Sequence, residues 1–360
     1  FLPLASTVGT LALIVILFDS GLNLNLVKVL TEIPNASIFS IAVFVLGAVF
    51  VGGIAHFIFG WNFLHALLLG VIAGGTGSNV VLSIVQRLSV SDDTRVLLGL
   101  ESLINDVLSL VFAFVILQVL TINSFSASQA ASSIASAFAV ALVAGIVFGL
   151  FWLGILKRFY GKPLGYVVTL GFMFILYAGI NFLGGSGAIA VLTFSLILGN
   201  AQQIAEFLRW EGEFKLDSAI MHAQNEVSFF VRTFYFVYLG LLLSPSLFAT
   251  PALWVSILAV VGFFAARVVG VKMLFLIDYS FKKYSLVLTT MLPRVLVAAV
   301  LAFLPAEKGI IIPYFAETVF LILLFTNVIA TAGAFAFEVT KSGEIAKPQV
   351  VKIKEPKGKG

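Results

Sequence analysis

The chain has 360 residues, 61% of them hydrophobic and only 11% charged, with a mean hydropathy of +1.13. Soluble domains carry about 25% charged residues, so the composition excludes one and predicts an all-α polytopic membrane protein. The net charge is +4 and there is no cysteine, which leaves no disulfide framework and no thiolate metal site. Nothing supports nucleic-acid binding.

Apolar stretches of roughly 20 residues predict eleven spans, near 3–27, 36–59, 63–87, 95–121, 134–156, 164–182, 187–205, 227–243, 252–276, 284–304 and 316–338. The chain opens at Phe1, directly in an apolar run, which reads as a cut or processed start. Asp19, two-thirds along the first span, reads equally as a cation-attracting vestibule residue or as a helix-end hydrogen-bonding residue. His56 and His65 flank a short turn and read as interfacial; with His222 they show no metal-ligand spacing. The third span is interrupted by Gly74-Gly75-Thr76-Gly77-Ser78-Asn79, a string of poor helix formers. Taken alone, that run fits close helix packing as well as a break.

The fourth span carries Glu101-Ser102-Leu103-Ile104-Asn105-Asp106. A carboxylate near the centre of a membrane helix costs roughly 3 kcal/mol on insertion scales. Two of them with an amide between imply a polar purpose, most often an ion or proton pathway; a structural polar network is the alternative. The Ser/Ala-rich stretch 122–135 fits an interface, and 206–226 mixes charges at helical spacing as an amphipathic linker helix would. Arg232, near the start of the eighth span, reads as snorkelling to the interface. The ninth span carries Arg267, and the tenth is interrupted by Thr289-Thr290-Met291-Leu292-Pro293-Arg294, where Pro293 breaks backbone hydrogen bonding. Lys341, Lys347, Lys352, Lys354, Lys357 and Lys359 make 339–360 a basic, solvated tail, able to touch anionic lipid.

Cations between the spans give the orientation. Odd-numbered spans end beside Lys28, Arg87 and Arg95, Lys157, Arg158 and Lys162, Arg209 and Lys215, and Lys272, Lys282 and Lys283, whereas the opposite loops hold only Lys308. The rich side, and with it the C-terminus, is cytoplasmic by the positive-inside rule. Spans one to four and eight to eleven run in opposite directions with the break in the third member each time, the pattern of a transporter with inverted repeats. By that symmetry spans six and seven lack counterparts, which predicts two helices before residue 1 and thirteen in all.

Ser102 and Asp106 are four apart on one helix face, with Asn105 adjacent; all three can face one cavity. Hard monovalent cations take oxygen ligands, and unwound backbone at Thr76 would free carbonyls for the same ion. Burial disfavours the charged form of a carboxylate, so Asp106 can hold a proton and trade it for a cation. No nucleotide-binding motif is present, so the proton gradient would drive the exchange. Glu101 points away from Asp106 and needs another partner. Arg267 and Arg294 are buried cations that predict ion pairs, and Arg294 can compensate half-helix C-terminal dipoles where two broken helices cross.

The run Glu101-Ser102-Leu103-Ile104-Asn105-Asp106 resembles the E-S-x-x-N-D motif of NhaP-type Na⁺/H⁺ antiporters in the monovalent cation/proton antiporter superfamily, relatives of the sodium/proton exchangers. Further matches are Leu17-Phe18-Asp19-Ser20-Gly21-Leu22, Gly185-Ser186-Gly187-Ala188 and Ala266-Arg267-Val268-Val269-Gly270-Val271. The resemblance implies an inverted-repeat antiporter fold with two crossed broken helices and elevator-like alternating access. A core domain of about 36–156 and 252–338 and a dimerisation domain of about 1–30 and 164–243 are expected, in a homodimer in the plasma membrane of a prokaryote. It implies Asp106, Asn105, Ser102 and Thr76 as the cation and proton site, with Na⁺ at Asp106, Ser102 and Thr76. It also implies Glu101 and Arg267 as a structural ion pair. No resident cofactor or enzyme activity is implied, only transported Na⁺ (or Li⁺) and H⁺, and Asn before Asp goes with electroneutral one-for-one exchange. Two stretches depart from the family pattern: Thr76-Gly77-Ser78 replaces Thr-Asp-Pro, and Val295 replaces the glycine after Arg294. The first departure leaves K⁺/H⁺ exchange open, and Asp19 could supply the missing charge. A cation channel would need a T-V-G-Y-G filter or an acidic ring, and an intramembrane aspartyl protease would need two facing aspartates; the sequence offers neither.

Overall fold

The computed structural model describes residues 2–24, 34–121, 127–159, 164–210, 218–242 and 245–345. Its helices are α1 (Leu2–Asn23), α2 (Pro34–Gly53), α3 (Phe63–Ile72), α4 (Ser78–Val85), α5 (Asp92–Thr121), α6 (Ala127–Phe159), α7 (Leu164–Phe182) and α8 (Gly187–Gly199). They continue as α9 (Ala201–Phe207), α10 (Ser218–Leu242), α11 (Pro251–Ile277), α12 (Ser285–Thr290), α13 (Leu296–Leu301), α14 (Leu304–Glu307) and α15 (Phe315–Ile345). Among the described residues, six helices are individually long and apolar enough to cross a membrane, and the bent pair α8–α9 makes a seventh. The other predicted spans correspond to α1, α10 and two interrupted pairs, α3–α4 and α12–α13. Most of the lysines predicted for the basic tail lie outside the described residues, as do Lys28, Lys162 and Lys215.

Local chemistry sets the helix starts. The Asn62 side chain accepts from the Leu64 N–H at 3.0 Å and caps α3. Asp92 and Asp93 place negative charge in the first turn of α5, and Pro251 opens α11, where its missing N–H leaves nothing unsatisfied. After α2 the chain makes a π-helical turn over Ile54–Ile58, and His56 Nδ1 closes the following loop on the Trp61 carbonyl at 2.7 Å.

The helices fall into two groups. In the first, α2 packs on α3, α5 and α11, α4 packs on α5, and α15 packs on α11, α12 and α13. In the second, α8 is the hub for α1, α6 and α7, and α10 lies on α1 and α7. The fifth expected span is α6, which packs mainly on α8. Its small residues allow this close approach. A Cβ added at Gly145 would meet Thr193 Cβ at 2.5 Å, and one at Gly149 would meet Ile197 Cβ at 2.8 Å.

The expected linker helix over 206–226 is also corrected. Helix α8 bends by 76° into the short α9, residues 211–217 lie outside the described residues, and 218–226 form the first turns of α10. Asn200 makes the bend: its side-chain amide donates to the Leu196 and Leu24 carbonyls, each at 2.9 Å, so a backbone acceptor at the kink finds a partner.

Gly145→Val is expected to lower stability by about 1–3 kcal/mol, because the added carbons must push α6 off α8. Thermal unfolding in detergent reads this directly; an unchanged midpoint would contradict the α6–α8 packing.

Candidate functional site

Helices α3–α4 and α12–α13 are interrupted at residues 73–77 and 291–295, and the two interruptions meet. The Gly77 N–H donates to the Pro293 carbonyl at 2.9 Å, a backbone bond between the breaks. Pro293 offers no N–H and cannot continue α12, but its carbonyl serves the other break. The ends that this exposes are matched by charge. At the N-terminus of α4, the Ser78 N–H donates to Asp106 Oδ2 at 3.3 Å. At the C-terminal side of α3, Arg294 Nη1 donates to the Gly74 carbonyl. Anion at a helix start and cation at a helix end are the arrangement the helix dipole favours.

Arg294 is itself held in place. Its guanidinium lies 4.4 Å from the Phe263 ring centroid, its backbone N–H donates to Thr326 Oγ1 at 3.2 Å, and its carbonyl accepts from Asn327 Nδ2 at 2.6 Å. Ser109 Oγ in α5 likewise donates to the Ile72 carbonyl at 3.1 Å, serving the end of α3.

Glu101 and Arg267 form a two-pronged ion pair, Nη1 to Oε1 at 2.6 Å and Nη2 to Oε2 at 2.8 Å, with both side chains about fully buried. Arg267 Nε donates to the Leu288 carbonyl at 2.6 Å, so the pair ties α5, α11 and α12 together. Asn105 completes this cluster: its Nδ2 donates to Glu101 Oε1 at 2.9 Å and to Thr76 Oγ1 at 3.3 Å. Its Oδ1 is buried without a hydrogen-bond partner, as is Arg294 Nε.

The expectation that Asp106, Asn105 and Ser102 share one cavity wall is corrected in part. Asp106 lines a cavity of about 140 Å³ with Ser20, Ser78, Arg232 and Val295. Asn105 turns instead to Glu101 and Thr76, and the Ser102 hydroxyl turns back to the Gly99 carbonyl at 2.9 Å. Thr76, Ser102 and Asn105 are all buried and are not among the residues lining that cavity. A second cavity of about 340 Å³ shares Ser20, Ser78 and Arg232 with the first and adds Asp19, Asn23 and Asn225. It lies at the end of the bundle that bears Arg87 and Arg95. At the opposite end, a cavity of about 540 Å³ is lined by Gln118, Tyr177, Asn181, Glu307 and Lys308 and does not reach Asp106.

Arg232 does not snorkel. It pairs with Asp19, where Asn23 Nδ2 also donates to Asp19 Oδ1 at 3.3 Å. The reason is geometric: α10 begins two turns earlier than expected, which carries Arg232 into the bundle beside α1. Sequence reading missed this partner, along with Thr326, Asn327 and Ser109. The adjacent Thr326-Asn327 inside an otherwise apolar span was the available signal.

Residues 3–337 match the family described as sodium/hydrogen exchanger, transmembrane. The chain is 25% identical over 278 residues to the K(+)/H(+) antiporter NhaP2 of Shewanella sp. (strain MR-4), covering 71% of this chain and 46% of that protein. It is 30% identical over 190 residues to the Na(+)/H(+) antiporter ApNhaP of Aphanothece halophytica, covering 51% and 36%. The chain thus spans less than half the length of these relatives. The solved structure of the sodium proton antiporter MjNhaP1 from Methanocaldococcus jannaschii at pH 8 superposes with a TM-score of 0.71 at 22% identity, over 94% of this chain and 84% of that one. Two crossed, interrupted helices over a buried carboxylate define an antiporter-type membrane fold. The chain belongs to the sodium/hydrogen exchanger family.

Glu101→Ala is expected to destabilise the protein by about 3–5 kcal/mol, since it leaves Arg267 buried and unpaired. Thermal unfolding together with Na⁺ binding checks it; normal stability with weakened binding would move Glu101 into the ion site.

Proposed function

We propose that the chain is the transport unit of a secondary antiporter that exchanges a monovalent cation, Na⁺ or Li⁺, for a proton, one for one, by competition at Asp106. One observation carries the reading: a buried carboxylate sits at the crossing of two broken helices, on a cavity that adjoins a second one reaching towards one end of the bundle. A carboxylate there takes either H⁺ or a cation and returns to the same net charge after each cycle. Glu101 is held by Arg267, so Asp106 is the acid free to change partners. Asp19 is similarly engaged with Arg232, which supports a single exchanging group and electroneutral stoichiometry.

Candidate ligands for the cation are Asp106 and the buried oxygens of its own helix and of the first break. Asn105 Oδ1, which accepts no hydrogen bond, lies next to Thr76 and fits a cation or its water. Ser102 and the unwound backbone of residues 73–77 complete the candidate set. Alternating access would come from an elevator-like shift of the first helix group, which holds both breaks, against the second. A cytoplasmic C-terminus fits the cation distribution between the spans, and a homodimer in a prokaryotic plasma membrane is what the family resemblance implies.

A K⁺/H⁺ exchanger is the second reading. It is favoured by Gly77, which brings no carboxylate to the site, and by the name of the NhaP2 relatives.

Proteoliposomes under an imposed Na⁺, Li⁺ or K⁺ gradient, with internal pH read by dye and the voltage clamped or free, test both. Voltage-independent flux with Na⁺ is expected; flux with K⁺ alone moves the ion assignment, and strong voltage dependence breaks the one-for-one reading. In the same vesicles Asp106→Asn is expected to abolish exchange with the thermal midpoint retained, and appreciable Na⁺-driven proton flux in that variant would sink the assignment.

A further inference from the structure

A cation bound at one carboxylate fills the rest of its shell with whatever else faces it, and hydrocarbon supplies nothing. The Asp106 cavity has such a face. Val295 and Val297, from the second interrupted helix, line it together with Ser20 and Ser78. Val295 is also locked against the first break. A Cβ added at Gly77 would stand 1.9 Å from Val295 Cγ2 and 2.6 Å from its Cβ, where carbon atoms need about 3.5–4.0 Å.

Gly77 does not owe its identity to backbone conformation. At φ −66° and ψ 100° it lies in a region open to any L-residue. The isopropyl group of Val295 is what excludes a side chain there. Neither partner can yield easily, because the Gly77 N–H is bonded to the Pro293 carbonyl two residues before Val295. The missing side chain at 77 and the branched one at 295 are one packed unit that spans the crossing.

We propose that Val295 is a specificity-determining residue: held against Gly77, its isopropyl group keeps oxygen ligands off one side of the Asp106 cavity and so limits the preference for small cations. Small, strongly hydrated ions lose most on dehydration and gain most from each added oxygen, because discrimination follows the number and field strength of the ligands. A cation at this wall keeps water on that side, which narrows the advantage of Na⁺ and Li⁺ over K⁺. This rests on the exchange reading at Asp106.

The test has two arms. In vesicles, V295T exchanges a methyl for a hydroxyl, a polar change that adds one oxygen able to donate and accept, and sits at the N-cap of α13, where Thr is well tolerated. The ratio of apparent Na⁺ to K⁺ affinity is expected to rise by about tenfold, the factor that corresponds to about 1.4 kcal/mol. An unchanged ratio in an active V295T overturns the role of Val295 and leaves the exchange reading standing. Wild-type vesicles inert to all three cations overturn the exchange reading, and the selectivity role with it.

The second arm reads thermal midpoints in detergent and needs no transport. G77A is expected to lower the midpoint, and the G77A/V295G double variant to recover most of that loss relative to V295G. Strict additivity of the two changes overturns the packing on which the inference stands.

Discussion

An unpaired peptide group in the hydrocarbon of a bilayer costs several kcal/mol, so backbone can leave the helix at that depth only where something else satisfies it. Among the described residues the helix is left at 73–77 and 291–295, and much of the surrounding polar chemistry answers that one constraint. The two breaks serve each other through the Gly77–Pro293 bond. What remains is met by side chains sent in from neighbouring helices: Ser109 from α5, and Thr326 and Asn327 from α15. Arg294 adds its guanidinium to the Gly74 carbonyl. Asp106 is part of the same accounting, since it accepts from the first N–H of α4. A carboxylate at a half-helix N-terminus therefore serves the fold and, in the proposed cycle, binds the ion.

The buried pair Glu101–Arg267 addresses a different problem. Two charges inside apolar surroundings are tolerable only with close geometry and with their remaining donors and acceptors filled. Leu288 and Asn105 fill them. Because Leu288 belongs to α12 and Asn105 reaches Thr76 in the first break, the ion pair fixes both interrupted helices to α5. Asn105 is thereby drawn away from the cavity that Asp106 lines. Adjacent residues on one helix thus differ: Asp106 lines the cavity, while Asn105 ties Glu101 to Thr76 through Nδ2 and keeps its Oδ1 unengaged.

Gly77 and Val295, two of the positions at which the sequence departs from the family pattern, touch in space. Each looks like an isolated loss when read along the chain. Together they form one packed contact, in which the side chain absent at 77 leaves the room that Val295 fills. Relatives named for K⁺ and for Na⁺ both align with this chain, and the wall beside Asp106 is a place where such a difference can be written.

Much of the architecture was legible in the sequence. Apolar runs marked the spans because a bilayer demands about 20 residues per crossing, and Gly74–Asn79 and Pro293 marked the breaks because those residues disfavour helix wherever they stand. Buried Glu101, Asp106, Arg267 and Arg294 announced themselves by charge in apolar surroundings. Other features were beyond its reach. The start of α10, the bend at Asn200 and the docking of α6 on α8 depend on small-residue contacts and single hydrogen bonds between distant segments, which leave no periodic trace. Arg232 meeting Asp19, Asn105 turning to Glu101, and Val295 filling the space over Gly77 were likewise decided by tertiary structure. Sequence fixes which groups must find partners in a medium without water; only the packed helices determine which partners lie within reach.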